Sequence, residues 1–201
     1  MKKTYLTNIS LQARGDLLKL LYEPKGFALE HNRESSFPII PVIAGHQDPG
    51  DDVTVLVVRP DTADTPDNYA AFLGELAELG IGEEKVRAIS VAEEQSDAVS
   101  LELLMRILEE IPEGSLVYGD ITFGTKPMSA VLLYALSFLP KIKDCEVDGV
   151  YYGEVKREAG RMTGACLYDL TVFQMLGDVI DEMHGLGIEE MQEALKRMIR
   201  S

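Results

Sequence analysis

The sequence has no tryptophan, two cysteines and little positive charge: 19 Lys plus Arg stand against 34 Asp plus Glu over 201 residues, a formal net charge of −15. That deficit excludes a protein that coats long DNA or RNA with its whole surface, because phosphate backbones are held by cationic faces. A small, locally bound anion stays open. Cys145 and Cys166 form no CxxC pair and have no His at zinc-ligand spacing, so neither a disulfide framework nor a metal is expected, and both read as buried thiols. No run approaches the roughly 18 apolar residues of a membrane span, and MKKTYLTNIS lacks the apolar region of a signal peptide. A cytoplasmic protein without membrane contact is the expectation. GxGxxG and GxxxxGK[ST] are also missing, which disfavours ordinary dinucleotide and P-loop enzymes, and no cofactor is called for.

What is present is the composition of a globular chain, 46% apolar and 26% charged. Residues 53–58 (VTVLVV) form a β-branched run of the kind buried on both faces of a parallel sheet, and residues 3–9 read as a shorter first strand. From 66 to 79, Tyr69, Phe72, Leu73, Leu76 and Leu79 share one helical stripe, with Thr65 as N-cap, Pro66 first in the helix and Gly80 as its stop. Strands at 86–91, 115–121 and 146–152 then alternate with helices at 97–110 and 127–139. The alternation predicts an α/β fold, Rossmann-like, with a mostly parallel six-stranded sheet and helices on both faces. Residues 166–170 add an edge strand, antiparallel through a turn near 158–161. Two helices, 171–183 and 188–199, end the chain, with Met175, Met183, Met191 and Met198 near helical spacing for a dimer seam or a core.

One stretch breaks the rhythm: about 43 residues separate the first strand from the second, and loops that long are usually functional or disordered. Phe37, Ile39, Ile40, Val42 and Ile43 predict partial packing, so residues 16–52 are expected to form an ordered flap ending near the ligand face.

Open α/β sheets bind ligands beyond the carboxyl ends of their strands, so the loops leaving strands matter most. Two stand out, Ser10 to Gly15 after the first strand and Thr122 to Pro127 after the fourth. In the second, Thr122, Gly124, Thr125 and Lys126 precede a helix, where hydroxyls, free amides and an ammonium can converge on an anion. The same residues also serve ordinary helix capping. Residues 1–26 carry a local +3, including Arg14, and the remainder carries −18, a basic spot on an acidic body. Asp120 reads either as a base or as an acceptor of loop amides. His31, His46 and His184 show no ligand spacing, although His46 could reach the site from the flap; Tyr151 and Tyr152 could stack or simply pack.

The segment YGDITFGTKPMSAVLLYALSFLP, with VDGVYYG and YDLTVFQMLGDVIDEM after it and TNISLQ and FPIIPVIAG before it, resembles CARF domains (CRISPR-associated Rossmann fold). It is most similar to the lineage whose fourth strand ends in Asp-x-Thr-x-Gly, here Asp120 to Gly124. Many relatives carry His-Gly-Phe-Arg where this chain has Phe123-Gly124-Thr125-Lys126, which leaves a Lys as the cation. The resemblance implies a domain over 1–183 with a C-terminal helix at 184–201 for dimer or partner contact. It also implies a homodimer that binds a cyclic oligoadenylate, with cyclic tetra-adenylate preferred, in type III CRISPR defence. Implied ligand contacts are Ser10, Gln12, Arg14, Thr122, Phe123, Gly124, Thr125 and Lys126. Some CARF domains cleave the ring without metal, and for that chemistry Lys126, Ser10 and Gln12 are the implied catalytic residues; a non-catalytic sensor is the alternative. With only about 18 residues after the Rossmann-like part, the expectation leans to cleavage.

Overall fold

The computed structural model describes residues 1–13, 17–158, 161–182, 185 and 187–200; the side chains at 161–162, 178–182, 194 and 197–200 lie outside this description. Along the chain run β1 (Lys2–Asn8), β2 (Leu20–Lys25), β3 (Glu34–Ser35), α1 (Ile39–His46), β4 (Asp52–Pro60), α2 (Thr65–Glu78), β5 (Val86–Val91), α3 (Asp97–Glu110), β6 (Leu116–Asp120), α4 (Lys126–Ile142), β7 (Glu146–Glu158), β8 (Arg161–Asp169), α5 (Val172–Glu182) and α6 (Ile188–Arg200). All eight strands join one sheet in the order β3-β2-β8-β7-β6-β1-β4-β5. The pairs β1–β4, β1–β6, β4–β5, β6–β7 and β2–β8 are parallel, and β7–β8 and β2–β3 are antiparallel.

The sheet is apolar on both faces. Tyr5, Val55 and Val57 turn towards Phe37, Ile39, Phe72 and Leu76 on one side, whereas Leu6, Leu56 and Val58 meet Leu103, Ile107, Leu132 and Leu136 on the other. This follows from the two-residue period of a strand: a run such as VTVLVV feeds both layers only if helices cover both. Local chemistry sets the helix starts. Ser96 and Thr125 cap α3 and α4 by accepting from Val99 N and Met128 N. Thr65, expected as the cap of α2, is instead its first residue, after Asp64.

Three expectations are corrected. The sheet has eight strands rather than six, because β2 and β3 extend it beyond β8. The flap expected over 16–52 is not formed by its described residues, 17–52: they supply β2, β3 and α1, and Phe37, Ile39, Ile40, Val42 and Ile43 are all buried. The strand expected at the edge over 166–170 lies inside the sheet, between β7 and β2, although its antiparallel pairing with β7 is as expected.

Two polar anchors tie the 26–52 region down. Glu75, 4% exposed on α2, accepts from Ser35 Oγ at 2.5 Å and Ser36 N at 3.1 Å, so the chain enters α1 against a buried carboxylate. At the amino-terminal edge, Lys3 Nζ donates to His46 O at 2.5 Å and pairs with Asp48 at 2.9 Å and Asp51 at 2.7 Å; its ammonium holds the Asp51 carboxyl down at about 2. Phe37 completes the attachment, edge-on to Phe72 at 5.1 Å between ring centroids. Phe37→Ala should therefore destabilise the whole domain by about 3–5 kcal/mol in urea titration, as for a core aromatic; a change below about 1 kcal/mol would mean that the segment can lift away.

Candidate functional site

In the six strands β5-β4-β1-β6-β7-β8 the chain fills positions outward from β1 first on one side and then on the other, the order of doubly wound nucleotide folds. The strand order therefore reverses between β1 and β6. The loops leaving the carboxyl ends of these two strands are 9–13 and 121–125, the ones singled out by sequence. Thr7 pairs with Asp120 at the last rung of the β1–β6 ladder, which brings both loops to one place.

Asp120 organises that place. It is fully buried and accepts from Thr7 Oγ1 at 2.9 Å, Thr122 N at 2.9 Å and the Thr122 hydroxyl. The Thr122 hydroxyl in turn accepts from Gly153 N at 2.7 Å, so one chain of hydrogen bonds runs from β1 through β6 to β7. Burial outweighs the three donors and pushes the Asp120 carboxyl up to about 6. Of the two readings of Asp120, the structural acceptor fits this geometry. Thr122 shapes the loop as well, since its single hydroxyl hydrogen is committed to Asp120.

The other predicted residues divide by accessibility. Gln12 and Lys126 are exposed, and Lys126 is the first residue of α4. Thr125 accepts from Met128 N at 3.5 Å and keeps its own hydroxyl hydrogen for another acceptor. Gly124 adopts φ +91°, and a Cβ there would sit 3.0 Å from Asn8 Cγ and Nδ2, so both the left-handed backbone and the close approach require glycine. Phe123 turns inward, edge-on to Phe37 at 6.1 Å. Ser10 is fully buried, and its Oγ accepts from Gln12 N at 3.2 Å. Arg14 and His184 lie outside the described residues. His46 sits at the opposite edge of the sheet, stacked on Tyr118 at 4.6 Å and 3.2 Å from the Tyr151 hydroxyl, with its pKa lowered mainly by burial; it does not reach the loops. Tyr151 is buried and Tyr152 is 40% exposed, so the adjacent tyrosines face opposite ways.

Three contributors escaped the sequence reading. Asn8 closes β1 and donates Nδ2 to Phe123 O at 3.0 Å, fastening one loop to the other. Asn68, buried in the first half of α2, donates Nδ2 to Ser10 O at 2.8 Å and Gln12 O at 3.0 Å and thereby fixes the first loop. Arg157, on the part of β7 that runs past residue 152, lines a small cavity with Gln12. For Asn8 the signal was weak, because β1 already carries Lys2, Lys3, Thr4 and Thr7. Asn68 offered none, since Asn in a first helical turn is ordinary. Among the described residues no group of three or more His, Cys, Asp or Glu is placed to hold a metal ion, and no helix is long and apolar enough to cross a membrane.

The raised Asp120 pKa has a testable sign. A carboxyl whose pKa is higher in the folded state than its unfolded value near 4 favours folding most at low pH, and that contribution is lost as pH rises through about 6. Stability measured by urea titration from pH 4 to pH 7 should thus fall for the wild type relative to Asp120→Asn and run parallel above pH 7. A pH-independent difference would mean that the three donors offset burial, and a gain of the wild type relative to Asp120→Asn as pH rises would mean that they outweigh it. Scanned against models of known families the sequence matches none, and no curated protein matches it.

Proposed function

We propose that this chain is a Rossmann-like, CARF-type domain that binds a cyclic oligoadenylate, with cyclic tetra-adenylate preferred, as a homodimer in type III CRISPR defence. The observation that carries the reading is the convergence, at the point where strand order reverses, of the 9–13 and 121–125 loops, with Gln12, Thr125 and Lys126 on the open side and Asn8, Asn68 and Asp120 holding them from beneath. Phosphates suit this edge because the α4 amino terminus and the Lys126 ammonium present positive charge there, while an acidic body repels long polyanions.

Support for a dimer comes from α4. Lys126, Ala130, Tyr134, Phe138 and Ile142 recur every four residues and are all exposed, Tyr134 by 65% and Ile142 by 55%. Beside them on α3, Leu101 and Met105 are 62% and 60% exposed. An apolar stripe of this extent suits a two-fold contact, and it ends on the cation of the site.

Ring cleavage would extend this function: a ribose 2'-oxygen bonds to the adjacent phosphorus, the bond from phosphorus to the 5'-oxygen breaks, and the 2'-hydroxyl proton ends on the departing 5'-oxygen, giving a 2',3'-cyclic phosphate. Lys126 would steady the charge on phosphorus. One observation favours the sensor: Ser10, which would orient the attacking hydroxyl, is fully buried and engaged with Gln12 N.

Incubation with cyclic tri-, tetra- and hexa-adenylate without metal, followed by chromatography and a binding titration, tests both. Tight binding of a ring is expected, weakened about 10-fold or more in Lys126→Ala. Linear products whose rate falls about 100-fold in that variant would assign the nuclease, and failure of every ring to bind would overturn the proposal. Light scattering should give a dimer for the wild type and a monomer for Tyr134→Glu/Phe138→Glu, with ring binding lost alongside.

A further inference from the structure

A second concavity adjoins these loops and shares only Thr125 with the phosphate contacts above. It lies between the first turns of α3 and α4, beyond the carboxyl ends of β4 and β5, with a volume of about 90 Å³. That is several times what one water requires, about 10–15 Å³ on the same measure. Val91, Leu103, Met128 and Val131 form its walls, all buried hydrophobic side chains. Leu11 from the first loop and Thr125 from the second both reach it, so it opens beside the 9–13 and 121–125 loops. Its rim is the loop after β5, which brings Glu93, Glu94 and Gln95 together, all exposed.

The chemistry of walls and rim narrows the occupant. Two carboxylates at the mouth oppose a phosphate, and at the α3 amino terminus Val99 N already donates to Ser96 Oγ at 3.4 Å. Apolar walls with acceptors at the mouth suit a flat heterocycle that carries an amine on its edge. Gln95 adds selectivity, because a carboxamide can accept from an adenine exocyclic amine while it donates to the adjacent ring nitrogen. Guanine would turn its carbonyl oxygen towards the acidic rim, which repels it.

We propose that this pocket is an adenine-specific base subsite, read by Gln95, whose carboxamide accepts one hydrogen of the exocyclic amine, with a carboxylate of Glu93 or Glu94 accepting the other. The assignment rests on the reading of the switch-point loops as a phosphate site, since a base in the pocket would hang from a phosphate held near Thr125 and Lys126. Selectivity for adenylate rings would then reside on the β5–α3 loop, away from the residues that hold phosphate.

The test uses the intact chain and two variants. Ser100, half-buried at the pocket on the first turn of α3, becomes Phe to fill the space, and exposed Gln95 becomes Ala to remove the reader without disturbing packing. Ligand-observed NMR at millimolar adenosine, purine riboside (which lacks the amine) and guanosine should show adenosine binding at least 10-fold tighter than the other two, with the preference abolished in Gln95→Ala and binding abolished in Ser100→Phe. Preference for guanosine, or adenosine bound equally by Ser100→Phe, overturns the assignment; if Ser100→Phe does not fold, an unchanged preference in Gln95→Ala does so alone. If cyclic tetra-adenylate binds the wild type and both variants equally, the pocket assignment falls and the function stands. If no ring binds but adenosine shows the stated pattern, the function falls and the base site stands.

Discussion

The buried carboxylate of Asp120 is the constraint on which the ligand edge depends. A charge with no exposure is tolerated only because Thr7 and Thr122 place three donors around it, and the Thr122 hydroxyl passes the chain on to Gly153. Three strands are thereby locked at the height where strand order reverses. The loop that follows has little freedom left: Gly124 must take its left-handed turn against Asn8, and Thr125 must start α4 where it does. Side chains that look like ligand contacts in sequence thus divide into two populations. Thr122, Gly124, Phe123 and Ser10 build the platform, and Gln12, Thr125 and Lys126 stand on it.

The division bears on catalysis. Precise placement is worth more to a reaction than the identity of any single group, and it depends on side chains locked from beneath. Here the locking residues are asparagines. Asn68 holds two carbonyls of the first loop and Asn8 holds one of the second, so each loop is fixed through its backbone. Backbone anchoring leaves the exposed side chains free to vary without loss of loop shape, which suits a scaffold that can serve either binding or cleavage.

Much of the six-stranded core was legible because period and length coincided: VTVLVV, the stripe from Tyr69 to Leu79 and the run from Val99 to Leu108 can each bury their apolar atoms in only one way. The stretch between β1 and β4 was not, for a physical reason. Its β2 contains Pro24 and charged neighbours, its β3 is two residues long, and α1 is a nearly uniform apolar segment of eight residues with a Pro inside, so none shows a clean period. Their structure comes from distant partners, Glu75 and β8, which no local pattern reveals. At the site, loop positions were legible from strand ends, but which side chains face inward was decided by hydrogen bonds across the sheet.

The parallel pairing of β2 with β8 ties an early segment to a late one: Tyr22 sits opposite Ala165 across most of the chain. During synthesis at about 5–20 residues per second, β2 waits on the order of 10 s for the strand that completes it. Throughout that interval its edge is open to other nascent chains. Pro24, which cannot donate to a foreign strand, and the Glu23–Lys25 ion pair beside it supply the kind of guard that keeps an unfinished edge from recruiting the wrong partner. The irregular composition that hid this strand from pattern reading is thus the composition that protects it until its partner is made.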